Sequence, residues 1–170
     1  MDGFISCSMD LFDDALMTLY RCRSKCPWSL MAISLLWSFC KKIILKHDDI
    51  TVISVVGQRE FQNPVVGGWN IRLDILAKDS TGKHYNLEVQ KKPEGAHIRR
   101  ARFHSSMMDS RMLKEGQEFS KLRDSYMVFI TRTGIFGHGI PIYTINRYFE
   151  EIGDPFDDGS HIVYVNGTKT

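Results

Sequence analysis

The sequence predicts an α/β fold in which helices flank a mixed central β-sheet. Residues 71–90, "IRLDILAKDSTGKHYNLEVQ", contain two segments of period-2 alternation joined by a short loop, which is typical of a β-hairpin. Apolar residues at helical spacing precede and follow this hairpin, and an apolar segment at 125–131 indicates a further buried strand. The predicted order is therefore helix, strand, hairpin, helix, strand.

Two helices and a strand are predicted before the hairpin. Residues 8–20 carry an apolar stripe at helical spacing. The apolar segment "PWSLMAISLLWSFC", residues 27–40, has 14 residues, including three serines, whereas a membrane span requires about 20 apolar residues. We therefore predict a buried helix over 28–46, with Trp28 and Trp37 as core candidates. Residues 49–61 are predicted to form a strand, and the following Pro and Gly residues indicate a loop.

The hairpin determines which polar residues face each other. Gly82 stands at the last position of a Ser80–Gly82 loop, where a left-handed residue is preferred. Such a loop pairs Asp79 with Lys83, and Asp74 then lies opposite Glu88 on a polar, even-numbered face. Facing like charges are destabilising, so compensation is expected. Either Arg72 and nearby lysines neutralise a solvated face, or a hard divalent cation binds both carboxylates.

The second half of the chain is predicted to complete one domain, residues 1–170. Residues 96–116 show helical spacing, with Met107, Met108 and Met112 as core residues and Gly116 as the C-terminal cap. A buried strand at 125–131 and a glycine-rich loop follow. Residues 142–153 are expected to be partly helical, and 161–166 to form the last strand.

Charge and cysteine content restrict the partners and the compartment. The formal net charge is +2, but both ends are acidic, so residues 21–149 hold +10, which suits a polyanionic partner. The start of the predicted third helix is strongly basic. Its arginines either contact the phosphates of a nucleic acid or form a solvated helix face. The spacing of the four cysteines matches no zinc pattern, so reduced thiols in a cytoplasmic protein are expected.

Three segments together resemble a known family. They are "LDILAKDSTGKHYNLEVQ", "RRARFHSSMMDSRMLKEGQEFSKLRDSYMVFIT" and "DGSHIVYVNG". They resemble the bacterial recombination-promoting nucleases, which are transposase-like members of the PD-(D/E)xK nuclease superfamily. The resemblance covers about residues 44–167 and, more weakly, Phe12 to Met17. It implies a restriction-endonuclease-like core of a helix, three antiparallel strands, a helix and a further strand.

The resemblance also implies roles for individual residues. Asp74, Glu88, the main-chain carbonyl of Val89 and an acid of the first helix, Asp14 with Asp13 as the alternative, would bind Mg²⁺, or Mn²⁺ in its place. Gln90, where the superfamily usually has Lys, would orient a water, and Lys92 is a candidate base. The implied DNA-binding residues are Lys91, Arg99, Arg100 and Arg102. His104 lies where the family often has an aromatic residue, and its role is open between packing and function.

The implied function is a magnesium-dependent DNA endonuclease associated with recombination or transposition, without a membrane partner. Residues 20–42 are atypical, and the chain stops at "VNGTKT", where relatives usually continue. A truncated, catalytically inactive nucleic-acid-binding remnant is therefore the alternative. The sequence leaves the oligomeric state open, a dimer included.

Overall fold

The structure is a computed structural model that describes residues 37–38, 50–90, 93–132 and 134–167. The chain divides into two compact units, residues 1–50 and 51–170. In the first unit the description covers a helical pair, Trp37 and Ser38, with Trp37 buried as predicted, and Ile50. The predicted helix at 8–20 and most of that at 28–46 lie outside the described residues. In the described ranges no helix is long and apolar enough to cross a membrane.

The described part of the second unit is a six-stranded mixed sheet with one α-helix. Its elements are β1 Val52–Phe61, β2 Ile71–Asp79, β3 His84–Gln90, α1 Ile98–Met112, β4 Ser125–Thr131, β5 Ile142–Ile145 and β6 Ser160–Asn166. Short 3-10 helices cover Pro93–Ala96 and Phe119–Lys121. The strand order across the sheet is β1-β2-β3-β4-β6-β5.

The connections between strands agree in part with the predicted arrangement. Strands β1, β2 and β3 form an antiparallel meander, and α1 connects β3 to the parallel strand β4. This reproduces the predicted sequence of three antiparallel strands, a helix and a strand. Strand β6 then pairs parallel with β4, and β5 pairs antiparallel with β6, so the sheet is wider than predicted. The predicted first helix lies outside the described residues.

The register of the β2–β3 hairpin is the predicted one. Lys78 pairs with His84 and Ile75 pairs with Leu87, and the Asp79 N–H donates to the Lys83 carbonyl at 3.1 Å. Gly82 has a φ of 91°, which only glycine adopts without strain. The three-residue loop Ser80–Gly82 is therefore confirmed, and it aligns the two acidic positions of β2 and β3.

A buried carboxylate closes this loop. Asp79 Oδ1 accepts hydrogen bonds from the Thr81 N–H at 2.8 Å, the Thr81 hydroxyl at 2.7 Å and the Lys83 N–H at 3.0 Å. Its Oδ2 accepts from the hydroxyl of buried Tyr85 at 2.7 Å. Burial alone raises the pKa of Asp79, but these hydrogen bonds outweigh it and lower the pKa below its ordinary value. The ionised side chain thus stabilises the loop geometry.

Helix α1 packs across the sheet face that carries the even-numbered residues of β3. Ala101, Met107 and Met108 are buried with Met127 and Phe129 of β4 in the main core cluster. The two methionines are therefore core residues, as predicted, and Met112 is partly buried against the same cluster. Ile98, by contrast, is 58% exposed, because the apolar face of the helix begins one turn later.

Two secondary-structure predictions are wrong, one for the end of a helix and one for the type of element. Helix α1 ends at Met112, since Leu113 already has extended backbone angles (φ −100°, ψ 142°), and Gly116 lies in the following turn. Residues 142–153 are not partly helical. They begin with β5, which pairs with β6, while the Tyr143 ring packs edge-on against Phe136 at 4.8 Å. Tertiary pairing therefore overrides the local helical pattern.

The buried charge of Asp79 yields a pH-dependent prediction. Asp79→Asn should lower the free energy of unfolding at pH 7 by about 1–2 kcal/mol, because charge-assisted hydrogen bonds are lost. The stability from ionised Asp79 is fully present above the ordinary carboxyl pKa of 3.8 and is lost as pH falls through the lower folded-state pKa. Denaturant unfolding of both proteins should therefore show a gap that closes in acid.

The control for this measurement is Asp157→Asn, which changes the same charge at an exposed position. Its effect should be small at both pH values. A gap between the unmodified protein and Asp79→Asn that is equal at pH 7 and pH 3 would contradict the role of the ionised carboxylate.

Candidate active site

At Asp74 and Glu88 the hydrogen bonds between β2 and β3 run from main chain to side chain instead of from main chain to main chain. The Asp74 N–H donates to Glu88 Oε1 at 3.2 Å, and the Val89 N–H donates to Asp74 Oδ2 at 3.1 Å. Each carboxylate therefore accepts a hydrogen bond from the main chain of the opposite strand. The two acids that the hairpin register predicts to face each other are brought together in this way, at the end of the regular β2–β3 ladder.

Glu88 is fully enclosed, with 0% of its surface exposed. Its Oε1 accepts from the Asp74 N–H and from the Asn86 amide at 3.1 Å. Its Oε2 accepts from the Gln90 amide at 3.2 Å and lies 3.5 Å from the Arg100 guanidinium. A buried carboxylate requires such donors, because its charge has lost the solvation of water.

A solvated acidic face is therefore the wrong interpretation of the even-numbered positions. Asp74 is 2% exposed and Gln90 is 5% exposed. Arg72 is exposed and faces Glu60 of β1, whereas the guanidinium near Glu88 belongs to Arg100 of α1. The reason is tertiary, since α1 covers this face of the sheet after the crossover from β3.

Arg100 and His104 form one hydrogen-bonded unit beside Glu88. The Arg100 guanidinium donates to the Gly95 carbonyl at 2.9 Å and to His104 Nε2 at 3.2 Å. A guanidinium only donates, so the Nε2 of His104 must be an acceptor and its ring proton is assigned to Nδ1. That nitrogen lies 3.7 Å from Glu88 Oε1, and the ring is 4% exposed. The histidine is thus packed beside the carboxylate, and its Nδ1 makes no hydrogen bond to it.

Gly95 completes the cluster through its lack of a side chain. A Cβ atom placed there would lie 2.3 Å from the Gln90 Oε1 atom and 3.0 Å from its Cδ. Only glycine lets the Gln90 side chain lie in its observed position. Gly95 and Asn86 were not among the site residues predicted from the sequence. One sequence signal could have identified Asn86, since it lies two residues before Glu88 and therefore on the same face of the strand.

The predicted DNA-binding residues separate into two groups. Arg99 and Arg102 are exposed on α1, whereas Arg100 is partly buried and contacts the Glu88 carboxylate. Lys91, predicted with them, lies outside the described residues, and so does the candidate base Lys92. Helix α1 therefore carries two exposed arginines as well as Arg100, which reaches Glu88. Binding of nucleic acid by these residues remains a prediction.

The oxygen donors suit a hard divalent cation. Magnesium typically takes one or two protein carboxylates and completes its shell with water and substrate oxygens. Asp74 and Glu88 supply two carboxylates, whereas the described residues contain no group of three or more His, Cys, Asp and Glu side chains that could hold a metal. The candidate third carboxylates, Asp14 and Asp13, lie outside the described residues, and a ligand role for the Val89 carbonyl stays a prediction.

The contact between Gly95 and Gln90 yields a stability prediction. Gly95→Ala should lower the free energy of unfolding by about 1–3 kcal/mol, because the new methyl group overlaps the Gln90 amide and forces it to move. In a Gln90→Ala background the same substitution should cost much less, since the overlapping atoms are gone. Denaturant unfolding of the two single variants and the double variant measures this coupling. Additive effects would show that the overlap is not the cause.

The part of the chain that matches a known family contains the elements described above. No curated protein matches the chain. A sequence model of the family described as "PD-(D/E)XK nuclease family transposase" matches residues 33–166. The matched range contains the whole described sheet, α1 and the cluster around Glu88, and the mixed sheet is consistent with the fold of that family. Because the match covers more than half of the 170 residues, the chain belongs to the PD-(D/E)XK nuclease family transposases.

Proposed function

We propose that the protein is a magnesium-dependent DNA endonuclease that hydrolyses phosphodiester bonds in recombination or transposition. Membership of the family indicates nuclease activity and DNA as the substrate. The observation that carries the proposal is the reciprocal bonding of Asp74 and Glu88, in which each carboxylate accepts a main-chain N–H of the other strand. This arrangement holds two carboxylates together at the end of a strand pair.

Asp74 and Glu88 would hold the cation, together with the Val89 carbonyl. PD-(D/E)XK nucleases generally use divalent ions, and Mg²⁺, with Mn²⁺ as a substitute, fits a donor set of oxygen atoms. Such an ion polarises a phosphoryl oxygen and makes a nearby water a better nucleophile. The contribution of the protein is to orient both carboxylates. Main-chain N–H groups from two strands orient them, and the Asn86 and Gln90 amides add hydrogen bonds to Glu88.

Gln90 would aim the attacking water. Its neutral amide cannot take up a proton at pH 7, so a role as general base is excluded by its chemistry. The amide is held by its hydrogen bond to Glu88 Oε2 and by close contact with Gly95. Lys92 would be the general base that accepts the proton of that water.

Exposed arginines on α1 would bind the DNA backbone. Arg99 and Arg102 lie on the helix that places Arg100 beside Glu88. Phosphate contacts from this helix would therefore position the DNA backbone close to the carboxylates of Asp74 and Glu88. Contacts of this kind provide affinity without sequence preference, because each one releases condensed counterions. The formal charge of +10 over residues 21–149 supports the same type of partner.

Removal of either carboxylate should abolish activity. Asp74→Asn and Glu88→Gln should reduce magnesium-dependent plasmid nicking to background, because each lacks one charged ligand. Glu88→Gln should also lower the free energy of unfolding by about 1–3 kcal/mol, since the amide cannot accept all the donors that surround Glu88. Saturating magnesium should raise the melting temperature of the unmodified protein and leave both variants unshifted.

Glu115→Gln is the matched control, because Glu115 is an exposed carboxylate in the loop after α1. It should retain both nicking and the magnesium-dependent thermal shift. Nicking at the normal rate by either acid variant would exclude the proposed site. Salt-dependent DNA retention by an unmodified protein that never nicks would identify a non-catalytic nucleic-acid-binding protein instead.

The exposed arginines should set the salt dependence of DNA binding. Replacing Arg99 and Arg102 together by Gln should reduce the slope of log affinity against log salt by about 1.8, which corresponds to two lost phosphate contacts on B-DNA. Filter binding over a salt series measures this slope. The control replaces Lys121 and Arg123, two exposed residues before β4, by Gln. Equal slopes for the α1 variant and the unmodified protein would exclude this helix as the DNA face.

A further inference from the structure

We propose that Arg100 and the divalent cation compete for Glu88, and that Arg100 transfers to a DNA phosphate when the cation binds. The inference rests on the proposed function and assigns Arg100 a second partner within it. It separates Arg100 from Arg99 and Arg102, for which we propose DNA binding alone.

The first support is the charge balance of Glu88. Its carboxylate is fully buried, and among the described lysines and arginines Arg100 is the one that lies within 4 Å of it. A buried charge without a counter-ion is strongly destabilising. Arg100 therefore supplies the positive charge that a bound divalent cation would also supply, at the same carboxylate.

The second support is how the guanidinium is held. Its contacts to the Gly95 carbonyl and to His104 Nε2 are 2.9 and 3.2 Å long, whereas its contact to Glu88 Oε2 is 3.5 Å long. Gly95 and His104 thus fix the guanidinium, and the ion pair is the longest of the three contacts. The contact with Glu88 can be lost while the side chain stays beside the site.

The third support is the exposure of the side chain. Arg100 is 36% exposed, although the carboxylate that it contacts has no exposed surface. A phosphate group approaching along α1 could therefore reach the guanidinium from the solvent side. Guanidinium groups bind phosphate oxygens through two parallel N–H donors. A divalent cation at Glu88 would repel the guanidinium and favour this exchange.

Competition for one carboxylate has a reciprocal consequence. If the cation weakens the contact between Arg100 and Glu88, then Arg100 must weaken cation binding by the same factor. The protein would bind magnesium more tightly without this guanidinium, although it would be less stable before magnesium is added. A residue that merely supports the site would weaken metal binding when it is removed. The sign of the change in affinity therefore separates the two roles.

The test is the magnesium affinity of Arg100→Gln, measured by calorimetry without DNA. The dissociation constant should fall about tenfold relative to the unmodified protein, because a nearby positive charge has been removed. The melting temperature without magnesium should fall, and nicking should slow. Arg99→Gln is the matched control, since it removes the same charge one residue away at an exposed position. Its magnesium affinity should be unchanged within about twofold.

A second measurement follows the unmodified protein through a magnesium titration, and it uses a variant only to assign one resonance. The Nε–H resonance of Arg100, assigned by comparison with Arg100→Lys, should shift during a magnesium titration. It should shift again when a short DNA duplex is added. A resonance that magnesium leaves unmoved would overturn the exchange.

The results also separate this inference from the proposed function. If the unmodified protein binds magnesium and nicks DNA, but Arg100→Gln has the affinity of Arg99→Gln or a weaker one, the competition alone is overturned. If the unmodified protein neither binds magnesium nor nicks DNA, the proposed function fails and this inference fails with it.

Discussion

The burial of the Glu88 charge is the constraint on which the arrangement of this unit depends. The carboxylate has no exposed surface, so every donor that stabilises it must come from the protein. The donors come from β2 through the Asp74 N–H, from β3 through Asn86 and Gln90, and from α1 through Arg100. One side chain thus links three elements, and a shift of any of them would leave a buried polar group unsatisfied.

Local signals were sufficient for the hairpin and for β4. Gly82 and the alternation of β2 and β3 specified a three-residue loop, and the register that follows from it is the observed one. The strand at 125–131 was predicted with its observed ends, because a short apolar segment bounded by polar residues is typical of a buried strand. The meeting of Asp74 and Glu88 therefore follows from short-range sequence alone.

The surroundings of Asp74 and Glu88 depend on contacts between residues far apart in the sequence, so local patterns could not predict them. Asp74, Glu88 and Gln90 are polar yet buried, since α1 crosses over them. Arg100 was expected to bind DNA or to lie on a solvated helix face, although it reaches Glu88. The role of Gly95 is set by the position of the Gln90 side chain, which no periodicity reveals. The helical pattern at 142–153 failed for a related reason, because pairing with β6 decides that segment.

The short loop of the hairpin has a consequence for how such sequences can diverge. The side-chain period of a strand is two, so the insertion or deletion of one residue in Ser80–Gly82 would reverse the face on which every later residue of β3 lies. Glu88, six residues after the end of the loop, would then lie on the face that its apolar neighbours now occupy. Surface loops usually tolerate length variation well, but this one should be inherited at constant length in every homologue that keeps the acidic pair. Length conservation there would be a mark of retained chemistry, even where the loop residues themselves differ.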